Sequence, residues 1–307
     1  MSASQRDIKT RIGSVKNIQK ITRAMEMVAA ARLRRAEQRI EALRPYAAAI
    51  RRMTRQAAEA AGSEISGLPI LQEHESQDSV ALLLITGDRG LAGAFNSQIT
   101  RAGLRAGSDY ERDGRSVQYS ATGRRGVSSL SFRGKNPVGQ YVGFTDRPSY
   151  ADARDIAEDL MAAYVDGKVD RVEIFYNGYI SPLTQEVRRE TLLPLQQATI
   201  LEGSERDREG AEEEDEDDAQ HHALVEYEPD PDEILGRLVP DYVEISVYRA
   251  LLESTASEHG ARMTAMRSAA ENAGELIDDL TLEMNRARQA EITQEIMEVV
   301  AGAEALT

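Results

Sequence analysis

Three glycines in seven residues, Gly87, Gly90 and Gly93 within "GDRGLAGAFN", make the one stretch of this 307-residue chain whose spacing suggests a bound ligand. A glycine turn at a helix start presents unobstructed backbone N–H groups, the arrangement that cradles phosphate. The stretch lacks the lysine and the hydroxyl of a phosphate loop, and its spacing matches neither G-x-x-x-x-G-K-[ST] nor G-x-G-x-x-G. The carboxylate of Asp88 would also stand where a phosphate belongs. A strand-to-helix turn with nothing to bind is the competing reading, and the rest of the chain has to decide.

Other reactive residues are sparse. The four histidines, His74, His221, His222 and His259, include no pair at helical metal-ligand spacing, and no G-x-S-x-G nucleophile elbow exists. His221 and His222 beside acids could chelate a divalent cation, but adjacent exposed histidines more often do nothing. His259 reads as a surface or interface residue near Arg262. Asp278 and Asp279 are sequence neighbours on a helix and point in different directions, which makes them a solvated face rather than an acid/base dyad. There is no cysteine, so thiol catalysis, thiolate metal sites and disulfides are excluded, in keeping with a reducing cytoplasm. No catalytic residue, no metal and no cofactor is expected.

The elements around these residues explain the chain better than its chemistry does. Residues 1–58 carry fourteen Lys/Arg against four Asp/Glu, and apolar residues recur at Ile8, Ile12, Val15, Ile18, Ile21, Met25 and Val28, then Ala36, Ile40, Leu43, Ala47 and Ile50. Gaps of three and four predict one long helix, with a kink or frayed turn at Pro45. From about Asp241 to Ala303 a second helix is expected, with Pro240 in its first turn and a seam of Met266, Ala269, Ala273, Leu276, Leu280, Met284 and Ala287. Residues 242–307 carry five basic against twelve acidic side chains, so the two ends attract each other more than themselves. An intramolecular antiparallel coiled coil follows. Two helices packed separately on a globular body is the alternative.

Between the ends, "SVALLLIT", "RSVQYSAT" and "DRVEIFYN" read as strands and "SYADARDIAEDLMAAYVDG" as a helix closed by Gly167. Strands alternating with helices imply a parallel α/β sheet. Residues 202–233 hold sixteen acidic against two basic side chains, and these nearly account for the chain's formal net charge of −15. That balance gives no footing for nucleic acid. The run 203–223, with seven acids in succession from Glu212 to Asp218, lacks the apolar content to order itself. "DPDE" at 230–233 looks like a helix start. The expected division is therefore an N-terminal helix at 1–60, a Rossmann-like α/β domain at 75–202, an acidic insert at 203–223 and a C-terminal helix at 231–307.

The segments "SVKNIQKITRAMEMVAAARLRRAE" at 14–37, "GDRGLAGAFN" at 87–96, "YNGYISPLTQEV" at 176–187 and the long stretch 250–306 resemble the gamma subunits of F-type ATP synthases, in the right order and at the right separation. The resemblance implies an antiparallel coiled coil with a Rossmann-like domain, acting as the central rotor shaft. It implies alpha and beta subunits around the coiled coil, the epsilon subunit and the membrane c-ring at the foot, and a peripheral place on the cytoplasmic face of a bacterial cell membrane. Contacts to catalytic beta subunits then fall on Met25, within "RAMEMVAA", and on Arg288, Gln289 and Thr293, within "RARQAEIT". Asp88, Arg89 and Gly90 belong to the family's turn motif, though the family commonly has Cys where this chain has Ala92. The acidic run is longer than many members have. Read without the resemblance, Met25 is a seam residue and the other three are solvated. Val299, Val300 and Leu306 make an apolar tip that suits a bearing. An autonomous nucleotide-binding enzyme with coiled-coil arms and a self-assembling structural coiled coil are the readings from other classes.

Overall fold

A computed structural model of the chain describes residues 5–61, 68–195 and 231–304. The acidic run 203–223, with His221 and His222, and the terminal Leu306 lie outside the described residues. Two long helices, α1 (Gln5–Ala61) and α5 (Pro231–Glu304), bracket an α/β sequence. That sequence runs β1 (Ser79–Ile85), α2 (Phe95–Arg112), β2 (Ser116–Thr122), α3 (Arg124–Phe132), β3 (Gly139–Tyr141), α4 (Tyr150–Val165), β4 (Arg171–Ser181) and β5 (Thr184–Leu193). The chain divides into two compact units, residues 1–31 with 262–307 and residues 32–261.

The first unit is a pair of antiparallel helices. Ile8 and Ile12 of α1 pack with Ile277, Leu280 and Met284 of α5, Gln19 Nε2 donates to the Ala270 carbonyl at 3.2 Å, and Arg267 pairs with Glu26 at 2.8 Å. Residue numbers fall along one helix as they rise along the other. The seam on α5 passes through Met266, Ala270, Ala273 and Leu280, all buried, with Ile277 between them. Steps of four and three alternate there as in a coiled coil. Small residues let the backbones approach, and a Cβ at Gly274 would lie 3.1 Å from Gln19 Nε2.

This seam corrects two expectations. Leu276 is 44% exposed while Leu280 is 4% exposed, because the 3.5-residue period turns position 276 outward and 277 inward. On α1 the seam runs through Gln19 and the buried Thr22, whereas Ile18, Ile21 and Val28 are exposed. Following apolar residues alone stepped off the stripe after Val15. Pro45 lies inside α1 with no frayed turn there, and Pro240 lies inside α5 rather than in its first turn, the helix starting at Pro231 where "DPDE" marks a helix start.

The second unit is a five-stranded sheet in the order β3-β2-β1-β4-β5. β1 pairs in parallel with β2 and β4, β2 with β3, and β5 returns antiparallel to β4. "SVALLLI" is buried from Val80 to Ile85 because both faces of β1 are covered. Val80, Leu82 and Leu84 meet Phe95 and Ile99 of α2 and Leu130 of α3. Ala81, Leu83 and Ile85 share a core with Ile156 and Leu160 of α4 and with Val243, Val247 and Leu251 of α5. Ser149 caps α4 through a capping box with Asp152, and Gly167, at φ 69°, closes it as expected.

Candidate functional site

The glycine turn after β1 is built to bind the protein itself. Asp88 carboxylate oxygens accept the N–H of Gly143 at 2.9 Å, the N–H of Arg124 at 3.1 Å and the Thr145 hydroxyl at 2.9 Å. Arg124 is the first residue of α3, so a carboxylate of the chain sits on a helix N-terminus where a phosphate would gain the same stabilisation. Burial alone would push this carboxyl up. The Gly143 N–H, the Thr145 hydroxyl and the Arg124 N–H outweigh it and hold Asp88 below the usual carboxylate range. Gly123, at φ 78°, allows the approach, since a Cβ there would come within 2.4 Å of the Thr86 carbonyl oxygen. The Gly87 N–H is taken by Asn96 Oδ1 at 2.8 Å. Arg89 and Gly90 complete the turn beside Leu91, which adopts φ 62°.

Open α/β sheets take ligands outside the carboxyl ends of their strands, where strand order reverses. Here that point lies between β1 and β4, and α5 occupies its rim. Glu258 stands so close to Gly87 that a Cβ on the glycine would lie 2.7 Å from its carboxyl. The Thr255 hydroxyl donates to the Thr145 carbonyl at 3.0 Å, and Ser254, Ser257, Glu258 and His259 are buried. Of the two readings its sequence context offered, surface or interface, His259 thus takes the interface. Its Nε2 lies 3.6 Å from Asp146, which also pairs with Arg32 of α1. A shallow cleft of about 290 Å³ beside α2, lined by Phe95, Gln98, Asn177 and Gln185 among others, has no ionisable side chain in its wall. Among the described residues no group of three or more His, Cys, Asp or Glu could hold a metal. No helix of the described residues is long and apolar enough to cross a membrane.

The residues expected to make contacts lie on the two-helix unit at two levels. Met25 is half-buried on α1, level with the Glu26–Arg267 pair. Arg288, Gln289 and Thr293 are exposed on α5, roughly 30 Å further along at 1.5 Å per residue. The structure does not bring the two sets together. The Thr293 hydroxyl donates to the Gln289 carbonyl at 2.9 Å, within its own helix. From Arg288 to Ala301 every side chain of α5 is exposed, including Val299 at 72% and Val300 at 51%. Two features were missed by sequence reasoning: the His74–Asp170 pair at 2.9 Å that pins the segment before β1, and the polar lattice between the β4–β5 hairpin and the long helices. Both join residues far apart in sequence, and no local spacing announces them.

The family model described as ATP synthase matches residues 4–306. The ATP synthase gamma chain of Rubrobacter xylanophilus is 43% identical over 304 residues, covering 99% of each chain. That of Streptomyces coelicolor is 42% identical over 310 residues, covering 100% of this chain and 97% of its own. Among solved structures, the central stalk and c-ring of the Tetrahymena thermophila mitochondrial ATP synthase contains a chain similar at TM-score 0.59 and 26% identity, over 81% of this chain and 99% of that one. A chain of the Euglena gracilis mitochondrial ATP synthase, OSCP/F1/c-ring in rotational state 3, is similar at TM-score 0.65 and 17% identity, over 98% and 94%, and speaks for the fold alone.

Proposed function

Since this chain belongs to the ATP synthase gamma-chain family, we propose that it is the central shaft of a rotary ATP synthase and couples proton flow to ATP synthesis or hydrolysis without catalysing either. The observation that carries this reading is the outward surface of the two-helix unit. Ile18, Ile21, Met27 and Val28 of α1 and Ile292, Ile296, Met297, Val299 and Val300 of α5 are large apolar side chains left exposed. Exposed apolar area of this extent belongs in an interface. A surrounding ring of alpha and beta subunits covers such a rod on all sides, and the epsilon subunit and c-ring take the α/β unit as their seat.

A shaft with different side chains at each azimuth biases each surrounding site toward a different affinity, which is all that coupling requires. Met25 serves as a contact for the moving lever of a beta subunit. Arg288, Gln289 and Thr293, exposed on α5, meet the loop that beta presents lower on the shaft. Val299, Val300 and Leu306 form the bearing at the tip. The functional division is then shaft helices at 1–60 and 231–307, a foot at 75–202 and an acidic insert at 203–223. The chain lies at the cytoplasmic face of a bacterial cell membrane as a peripheral subunit.

The plugged strand edge supports a non-catalytic role, because the position where a doubly wound sheet binds nucleotide is filled by α5. Affinity purification from native membranes in mild detergent tests the reading. The chain is expected to bring alpha and beta subunits in a 3:3:1 assembly. Recovery as a homodimer, or saturable ATP binding by the chain alone in equilibrium dialysis, would overturn it.

A further inference from the structure

The segment "YNGYISPLTQEV" has no part in the contacts assigned above, yet it and the residues just after it tie the sheet to both long helices by directional bonds. It forms the end of β4 and the start of β5, with Gly178 opposite Glu186 in the register. Arg188 of β5 donates from Nη1 to Glu253 of α5 at 2.6 Å, and both side chains are only 12% exposed. Arg249, one turn earlier on α5, donates to Glu190 at 2.9 Å, and the other oxygen of Glu190 accepts the Tyr176 hydroxyl at 2.6 Å. Tyr179 reaches the other long helix, its hydroxyl donating to Glu37 of α1.

Two features show that this lattice is held at a cost in stability. Arg188 crosses directly over Gly178, where a Cβ would lie 2.0 Å from its Nε, so the strand gives up a side chain to let the guanidinium through. That Nε is buried without a hydrogen-bond partner. Burial also pushes the Glu253 carboxyl up, against the pull of Arg249 and Arg188. Buried ion pairs are poor sources of stability beside apolar packing of equal volume, but they fix geometry. The apolar contacts of α5 with the sheet, through Val243, Val247, Ala250 and Leu251, resist separation well and sliding poorly, because they have no preferred direction.

We propose that the β4–β5 hairpin is the torque clamp of this subunit, in which Arg188, admitted by Gly178, and Arg249 act as positioning residues that stop the sheet from slipping on the two shaft helices. The proposal rests on the rotor reading above. Load applied to the sheet is carried to α5 by Arg188–Glu253 and Arg249–Glu190, and to α1 by Tyr179–Glu37. Every link joins hairpin to helix, so twisting the one against the other strains all of them together.

The test uses the full chain in the assembled enzyme. The double variant Arg188→Met/Glu253→Gln replaces the ion pair with uncharged groups of similar volume, so the thermal midpoint of the complex is expected to hold or rise. The angular fluctuation of a bead fixed to α3, recorded with the catalytic ring immobilised and hydrolysis paused, is expected to widen. Proton pumping against an opposing gradient is expected to be lost while hydrolysis continues. Gly178→Ala should widen the fluctuation by displacing Arg188, and Arg188→Lys, which keeps charge and reach, should restore most of the stiffness. Unchanged bead fluctuation in an assembled double variant would overturn the clamp. A wild-type chain that fails to support pumping at all would instead overturn the rotor reading.

Discussion

Asp88 and Leu280 show how one side chain can be read from its neighbours, and where that reading stops. The carboxylate of Asp88 was expected in the place of a phosphate, and it lies there, on the first N–H of α3. Its donors come from Gly143 and Thr145, more than fifty residues away, which no pattern in the turn could name. Because the folded carboxyl is held below its ordinary value, its stabilisation is fully present above the unfolded value of about 3.9 and is lost as pH falls through the folded one. Asp88→Asn should therefore cost about 2 kcal/mol near neutrality, with the gap to wild type closing below about pH 4. Denaturation midpoints across pH measure it, and a gap that does not depend on pH would show that charge is not the cause. Leu280 and Leu276 were assigned to one seam, and only Leu280 belongs there. Leu280→Asp should cost about 3 kcal/mol or more by burying an unpaired charge. Leu276→Asp should cost about 1 kcal/mol or less on an exposed helix face. In the assembled enzyme, Leu280→Asp should impair pumping before hydrolysis. Equal loss of both activities would point to a catalytic role for this chain.

At the scale of elements, legibility followed whether burial was apolar and local. β1, β2, β4 and α4 were visible because runs such as "SVALLLIT" and the Ser149 cap with Gly167 carry their own boundaries. β5 was not, since "TQEVRRETLL" is half-exposed and reads as polar. Its place in the sheet comes from pairing with β4. The prolines misled for a related reason. An interior proline costs a helix about 3 kcal/mol in isolation, but α1 just after Pro45 and α5 on either side of Pro240 are held by burial of Ile50, Ala57, Leu238, Val239 and Ile245 in one cluster. Tertiary packing outweighs the local preference. The α1 seam was the hardest to see, because it passes through Gln19 and Thr22 while Ile18 and Ile21 face outward for a partner. A polar seam residue sets register at a cost in stability. Gln19→Leu should thus raise the thermal midpoint of the chain, by about 1 kcal/mol in unfolding free energy. A lower midpoint would mean that the Gln19 bond to the Ala270 carbonyl stabilises more than apolar burial would.

On the scale of the whole molecule, the described surface divides its polarity by task. The sheet holds α5 by directional bonds, whereas the far end of α5, past the level where α1 begins, carries Val299 and Val300 exposed with Glu304 the single charged residue after Glu298. A turning end gains nothing from ion pairs, since each would have to break on every step. Short apolar side chains offer contact without direction and so without a preferred angle. The tip is accordingly proposed to run in an apolar bearing of the alpha and beta subunits. Ending the chain at Glu298 removes that patch while leaving the seam from Ile8 to Leu280 untouched. Rotation of a bead on the α/β unit should then continue, with lower torque and a complex that dissociates more readily on dilution. Complete arrest in a complex that stays assembled would make the tip a drive element instead, because only a part that pushes, and not one that merely guides, stops the motor when it is taken away.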